Sequence, residues 1–259
     1  MSRHERLRKR PFDTLEDNSY FAHSPIFSIQ RHLARPLVPA SQKFFHLQCR
    51  DRSGFPTETM SDYAGHLRRA RIRQASLRDA LAEHFAERDE FVLEIGCGHG
   101  HFLAAYAAAH PEEHCVGFDL VTRRIARAEK KRRDRELNNL AFFKAEVDEF
   151  LFGLPAHVRI TRIFLLFPDP WPKKRHWKHR LTRYDRLERL AARTSDHGDL
   201  FFRTDDHPFF EWTEETIRTH PAWEVVPERP WPFEADTVFQ GFAPRHYSLC
   251  AIRCPSKPT

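Results

Sequence analysis

The chain has 259 residues, 42 Lys and Arg against 36 Asp and Glu, and a formal charge of +6. That length suits one large domain with a tail and buries an ample core, and the positive balance points towards an anionic partner. No apolar run approaches the ~20 residues of a membrane span, which excludes a helical membrane protein.

Targeting and redox signals are equally plain. The N-terminus mixes acids and bases without a secretory apolar segment. Five cysteines (Cys49, Cys97, Cys115, Cys250, Cys254) have neither framework nor CxxC spacing. Reduced thiols in a cytoplasmic protein are expected, without a metal site.

Residues 1–60 lack periodicity and scatter Pro, Ser, Arg and His. They read as a basic, partly disordered extension, its first ten residues a cationic arm. Residues 61–259 read as one domain that begins with a helix over 61–88. Leu67, Ile72, Leu77, Leu81 and Phe85 are its candidate apolar face. Arg68, Arg69, Arg71 and Arg73 make it cationic, suited to solvent or to RNA.

From residue 90 strands and helices alternate. Strands are expected at 91–95, 116–119, 140–146, 162–167, 199–205, 223–226 and 246–252, and helices at 101–109, 122–137, 147–153, 184–194 and 208–219. The pattern predicts an α/β fold: a doubly wound, mostly parallel sheet of seven strands.

Two loops carry the chemistry. The first, Glu94-Ile95-Gly96-Cys97-Gly98-His99-Gly100, follows the first strand and precedes a helix. Its glycines let backbone approach a ligand, and the GxGxG spacing differs from the GxGxxG of dinucleotide sites. Asp119 ends the second strand, where an acid accepts from a ribose diol. The bland reading is a tight turn with Asp119 capping the next helix. That helix is very basic, with Arg123, Arg124, Arg127, Lys130, Lys131, Arg132 and Arg133 on several faces. It reads mainly as a solvated helix.

The second loop is Phe167-Pro168-Asp169-Pro170-Trp171-Pro172-Lys173-Lys174-Arg175-His176. Its prolines stop the fourth strand and fix the chain direction. An acid and an indole are thus held at the carboxyl end of a core strand, where open α/β sheets place ligands. The cations that follow suit a polyanion. Lys173, Lys174, Arg175, Lys178 and Arg180 are candidate phosphate contacts, and Trp171 and Trp177 candidate stacking surfaces. Core packing is the other role for the indoles, more so for proline-flanked Trp171.

The first loop with Asp119 resembles the opening motifs of class I S-adenosylmethionine-dependent methyltransferases. With the proline loop and Thr204-Asp205 after the fifth strand, the chain is similar to the bacterial transfer-RNA guanine-N7-methyltransferase family, from about Phe91 to Thr219. The resemblance implies a Rossmann-like methyltransferase fold, S-adenosylmethionine as cofactor, and transfer of its methyl to guanine N7 in the variable loop of tRNA. It implies that Glu94, Gly96, Gly98 and Gly100 serve the methionine end, Asp119 the ribose and Glu146 the adenine edge. Asp169 and Asp205 are expected at the guanine, their other reading being helix caps. Trp171, Lys173, Lys174, Arg175, Thr204, Thr237 and Gln240 are the expected substrate-binding set.

The chain departs from the family in three places. Its arginine- and glycine-containing lead-in is absent from residues 40–80. Thr237-Val238-Phe239-Gln240 has an amide where the family has an acid, and Ala145-Glu146-Val147 lengthens the acid of a Gly-Asp-Ala. Two other readings stay open: a paralogue methylating another RNA or a small molecule, and a non-catalytic RNA-binding protein.

Overall fold

The structure, a computed structural model, describes residues 58–235 and 245–255; side chains are described from Gly65 onward, His66 excepted. The expected seven strands are present: β1 (Glu90–Ile95), β2 (Cys115–Asp119), β3 (Leu140–Lys144), β4 (Arg159–Leu166), β5 (Thr194–Thr204), β6 (Trp223–Val225) and β7 (Tyr247–Arg253). They form one sheet in the order β3-β2-β1-β4-β5-β7-β6. β1 to β5 pair in parallel, and β7 runs antiparallel to both β5 and β6.

Among the described residues six α-helices accompany the sheet: α1 (Glu58–His84), α2 (His101–Ala109), α3 (Thr122–Asp134), α4 (Val147–Gly153), α5 (Tyr184–Ala191) and α6 (His207–Arg218). The strands alternate their apolar side chains between two cores. Leu93, Ile163, Leu200 and Phe202 join Leu81, Phe150, Leu187 and Ile217 from α1, α4, α5 and α6. Val92, Phe164 and Phe201 join Phe102, Tyr106 and Ala128 from α2 and α3. Covered on both faces, the strands read as continuous apolar runs.

Three sequence expectations change. Among the described side chains, α1 buries Leu77 and Leu81, and Phe85 just past its end continues the four-residue spacing. Leu67 and Ile72, expected on that face, are 43% and 60% exposed. The basic run after the proline loop is a 3₁₀ helix over Lys174–His179, not open loop. β4 and β5 begin earlier than expected, because their first residues (Arg159, Thr161, Thr194, Asp196) are polar and give no apolar signal.

From β1 the chain steps outward through β2 to β3, then crosses to β4 on the other side of β1. The crevice beyond the carboxyl ends of β1 and β4 is therefore a topological switch point, the place where such sheets bind ligands.

Candidate active site

The glycine loop turns β1 into α2 through three left-handed residues, Gly96, Gly98 and Gly100, at φ 72°, 55° and 64°. They do different work. A Cβ on Gly98 meets nothing within 4 Å, so that stretch of backbone faces open space. A Cβ on Gly100 meets Phe142 Cζ at 2.6 Å and Ala128 Cβ at 2.8 Å, so Gly100 lets the loop pack on β3 and α3.

Asp119 ties this loop down. Gly98 N–H donates to its Oδ2 at 3.1 Å, Val121 N–H to its Oδ1 at 2.7 Å, and Arg124 reaches Oδ2 at 3.3 Å. A carboxylate offers about four lone-pair positions, so one remains on Oδ1 for a ligand hydroxyl. A second opens if half-exposed Arg124 swings away.

Glu94 is buried, and its Oε2 has no hydrogen-bond partner. Burial pushes its carboxyl up to about 8, Asp119 adds to the rise, and the Leu103 main chain and Lys131 oppose it. A buried acceptor without a donor is a position that a ligand cation or N–H completes. Glu146 caps α4 by accepting from Asp148 N–H at 2.8 Å, and its other oxygen accepts from Arg186 at 3.1 Å. These acids, the glycine loop and apolar residues such as Phe118, Leu120 and Val147 line a cavity of about 660 Å³.

The proline loop forms the opposite wall. Phe167 and Trp171 both lie in the left-handed region, at φ 48° and 47°. Such backbone costs ~1–3 kcal/mol per residue and persists only where the surroundings hold it. Two hydrogen bonds hold it here: Phe167 N–H donates to Arg203 O at 2.7 Å, and Arg180 Nε donates to Pro170 O at 2.9 Å. Arg180 is buried, its guanidinium set among the rings of Trp177 (4.5 Å), Trp212 (4.6 Å) and Phe209 (4.9 Å). This corrects its reading as a phosphate contact, since it braces the proline loop from within.

The two indoles also exchange roles. Trp177 packs inward on Arg180, while Trp171 lines the cavity with His179 at 5.0 Å. Asp169 lines the cavity as well, is exposed, and has no hydrogen-bond or ion-pair partner among the described residues. It is not a helix cap, because Lys173 precedes the 3₁₀ helix. Lys173, Lys174, Arg175 and Lys178 are exposed.

At the end of neighbouring β5, Thr204 is wholly buried and its hydroxyl accepts from Asp206 N–H at 3.2 Å. Its expected contact with substrate is corrected to the bracing of this turn. Asp206 caps α6, accepting from Phe209 N–H at 2.8 Å. Asp205 is therefore released from capping; it is exposed and without a partner among the described residues. Thr237 and Gln240 lie outside the described residues, as does the expected extension apart from its last three residues.

Sequence reasoning missed Arg186, His179 and His99 on the cavity wall. Arg186 carries no local signal: it reaches Glu146 from α5, 40 positions away, and also donates to the carbonyls of His179 and Arg180. His99 was visible only as the residue between Gly98 and Gly100.

A family model described as "Putative methyltransferase" matches residues 88–240. Proteins named tRNA (guanine-N(7)-)-methyltransferase are similar over roughly half to two thirds of the chain. The one from Rhodospirillum rubrum is 34% identical over 142 residues, 55% of each chain. The one from Thermotoga maritima is 37% identical over 144 residues, covering 55% of this chain and 45% of that one. The chain thus spans about half the length of these two relatives. In Azorhizobium caulinodans the match is 31% over 176 residues, 63% of this chain and 76% of the relative. Among solved structures, a 16S rRNA (adenine(1408)-N(1))-methyltransferase variant from Catenulisporales acidiphilia aligns at 20% identity with a TM-score of 0.47, over 70% of this chain and 94% of that one. With the methyltransferase model matching more than half of its length and the Azorhizobium caulinodans relative covered over 76% of its own, the chain belongs to the tRNA (guanine-N(7)-)-methyltransferase family.

Proposed function

We propose that this protein methylates guanine N7 in the variable loop of tRNA, with S-adenosylmethionine as the methyl donor. The observation that carries the reading is a pair of free carboxylates, Asp169 and Asp205, just past the ends of adjacent strands, Asp169 on the wall of the cavity. The name shared by the relatives supports it.

The residues of the cavity fit the donor. Glu94 takes its ammonium group, the open side of Gly96 and Gly98 admits its chain, and the remaining acceptor of Asp119 takes a ribose hydroxyl. When bound, the donor supplies an electrophilic methyl on sulfur, and the carbon–sulfur bond breaks as the bond to N7 forms.

Guanine N7 bears a lone pair and no proton, so the protein needs no general base. Its task is placement and charge. Asp169 and Asp205 accept from guanine N1–H and the exocyclic amine, a donor pair adenine lacks, and stabilise the positive charge the ring acquires. Trp171 stacks on the unstacked base, a contact worth ~1–3 kcal/mol. Lys173, Lys174, Arg175 and Lys178 hold flanking phosphates. Thr237 and Gln240 serve substrate binding, and the cations of residues 1–60 add positive charge for RNA. The protein works in the cytoplasm; among the described residues no helix is long and apolar enough to cross a membrane.

The test uses purified protein, labelled S-adenosylmethionine and bulk unmodified tRNA, with product nucleosides identified. Label in N7-methylguanosine is expected. Label elsewhere, or none while the donor still binds, sinks the reading and favours a paralogue with another substrate.

A further inference from the structure

Beyond the cavity wall, on the far side of His99 and His101, lies a second depression of about 320 Å³. Arg127, Lys130, Lys131, Asp134 and Arg135 from α3 and the residue after it complete its lining. We propose that this depression holds a backbone phosphate of the bound RNA, a contact separate from the basic loop after the proline wall. The proposal deepens the function proposed above.

Helix α3 has seven cations and two acids. Glu129 does not line the depression; Asp134 does, and its carboxylate is occupied by Lys130. Glu129 accepts from Phe142 N–H and pairs with Arg132 and Arg133; Asp134 pairs with Lys130 at 2.5 Å. Arg127 and Arg135 have no carboxylate partner among the described residues, and Arg127 reaches only the ring of His99, at 3.2 Å. Lys131 is held inward by His99 O at 2.8 Å. These groups repel one another. Burial and the cations nearby hold His99 and His101 below the usual imidazole range, and Lys131 is lowered by burial and by Arg135.

A merely solvated helix face would be convex, with its cations apart or paired. Here unpaired cations converge on a concavity that shares two residues with the reaction cavity. An anion at that point relieves the repulsion, and a nucleic acid entering the cavity brings one. Seating the phosphate also raises the His99 and His101 pKa values, since a neighbouring negative charge favours imidazolium.

The test is the salt dependence of tRNA binding by the full chain, read by fluorescence anisotropy without methyl donor. Arg127→Gln with Arg135→Gln is expected to weaken binding and to flatten the slope of log K against log salt by ~0.7–0.9, the contribution of the one phosphate left unneutralised. Asp134→Asn, which releases Lys130, is expected to strengthen binding, an effect no folding defect produces. Arg88→Gln with Arg218→Gln serves as a control of equal charge change. An unchanged slope in the first variant overturns the proposal, and so does an equal loss in the control. The readout is independent of methyl transfer. A flattened slope in a protein that makes no N7-methylguanosine upholds the phosphate site and fails the functional reading alone.

Discussion

The two halves of the cavity are built on opposite plans. On the β1–β3 side the acids are tied in or buried: Asp119 has three donors, Glu146 caps a helix, and Glu94 is enclosed. On the β4–β5 side Asp169 and Asp205 are exposed and unpartnered among the described residues, with the exposed cations Lys173, Lys174 and Arg175 and two left-handed aromatic residues in the same loop as Asp169. The first half is largely prebuilt, with Glu94 Oε2 alone among its acid oxygens buried without a donor. The second presents its acids and cations to solvent. A small donor of fixed shape suits a prebuilt socket, whereas a flexible polyanion supplies both the missing charges and the missing base.

Substitutions that separate the halves sharpen this contrast. Gly100→Ala has the largest expected effect on the first half. Left-handed φ and the collision with Phe142 and Ala128 together cost ~2–5 kcal/mol, seen as a lower urea midpoint. Gly98→Ala, with open space around it, should cost only ~1 kcal/mol in stability yet lose donor binding, because its methyl projects into space the ligand needs. If both glycines behaved alike, the division of labour in the loop would be wrong.

Arg180→Met comes next. It keeps apolar packing against the rings but removes the hydrogen bond to Pro170 O and the ring-stacked charge, for ~1–3 kcal/mol. Methyl transfer should fall while S-adenosylhomocysteine affinity holds within a few fold. Loss of both would mean that the proline loop supports the donor socket as well.

Glu94 gives a pH signature. Its folded carboxyl titrates near 8 against an ordinary 4.5, so the folded state keeps a proton that the unfolded chain releases. Its contribution to stability is therefore fully present below about 4.5 and is lost as pH rises through about 8. Glu94→Gln should melt like the parent at pH 4.5 and above it at pH 8.5, while losing donor affinity. Parallel melting curves across that range would contradict a buried, unpartnered acid. The smallest effect is expected from replacing Lys173, Lys174 and Arg175 with Ala, which should flatten the salt slope by up to ~0.9 for each duplex phosphate these side chains neutralise. An unchanged slope would make that segment structural.

Much of this was legible in the sequence, for reasons that also mark the limits. Helices at 101–109 and 147–153 were readable to the residue because apolar runs, glycines and an acid cap bound them. The β1–β3 wall of the cavity was readable because its lining residues sit within a few residues of strand ends. The substrate half was less so. Arg180 and Trp177 look solvated in a basic run, and their burial depends on Phe209 and Trp212, some thirty positions on. The sequence allowed Asp205 as a helix cap, whereas backbone geometry gives that role to the adjacent Asp206. Arg186 had no local signature at all.

The most direct measurement of the two-part account uses Asp205→Ala in one preparation, with S-adenosylhomocysteine affinity by calorimetry and methyl transfer to tRNA by label. The account predicts affinity within a few fold of the parent and transfer reduced ~10²-fold or more, the scale of losing one aligned electrostatic group. Transfer at the parent rate, or affinity lost in step with activity, would contradict it.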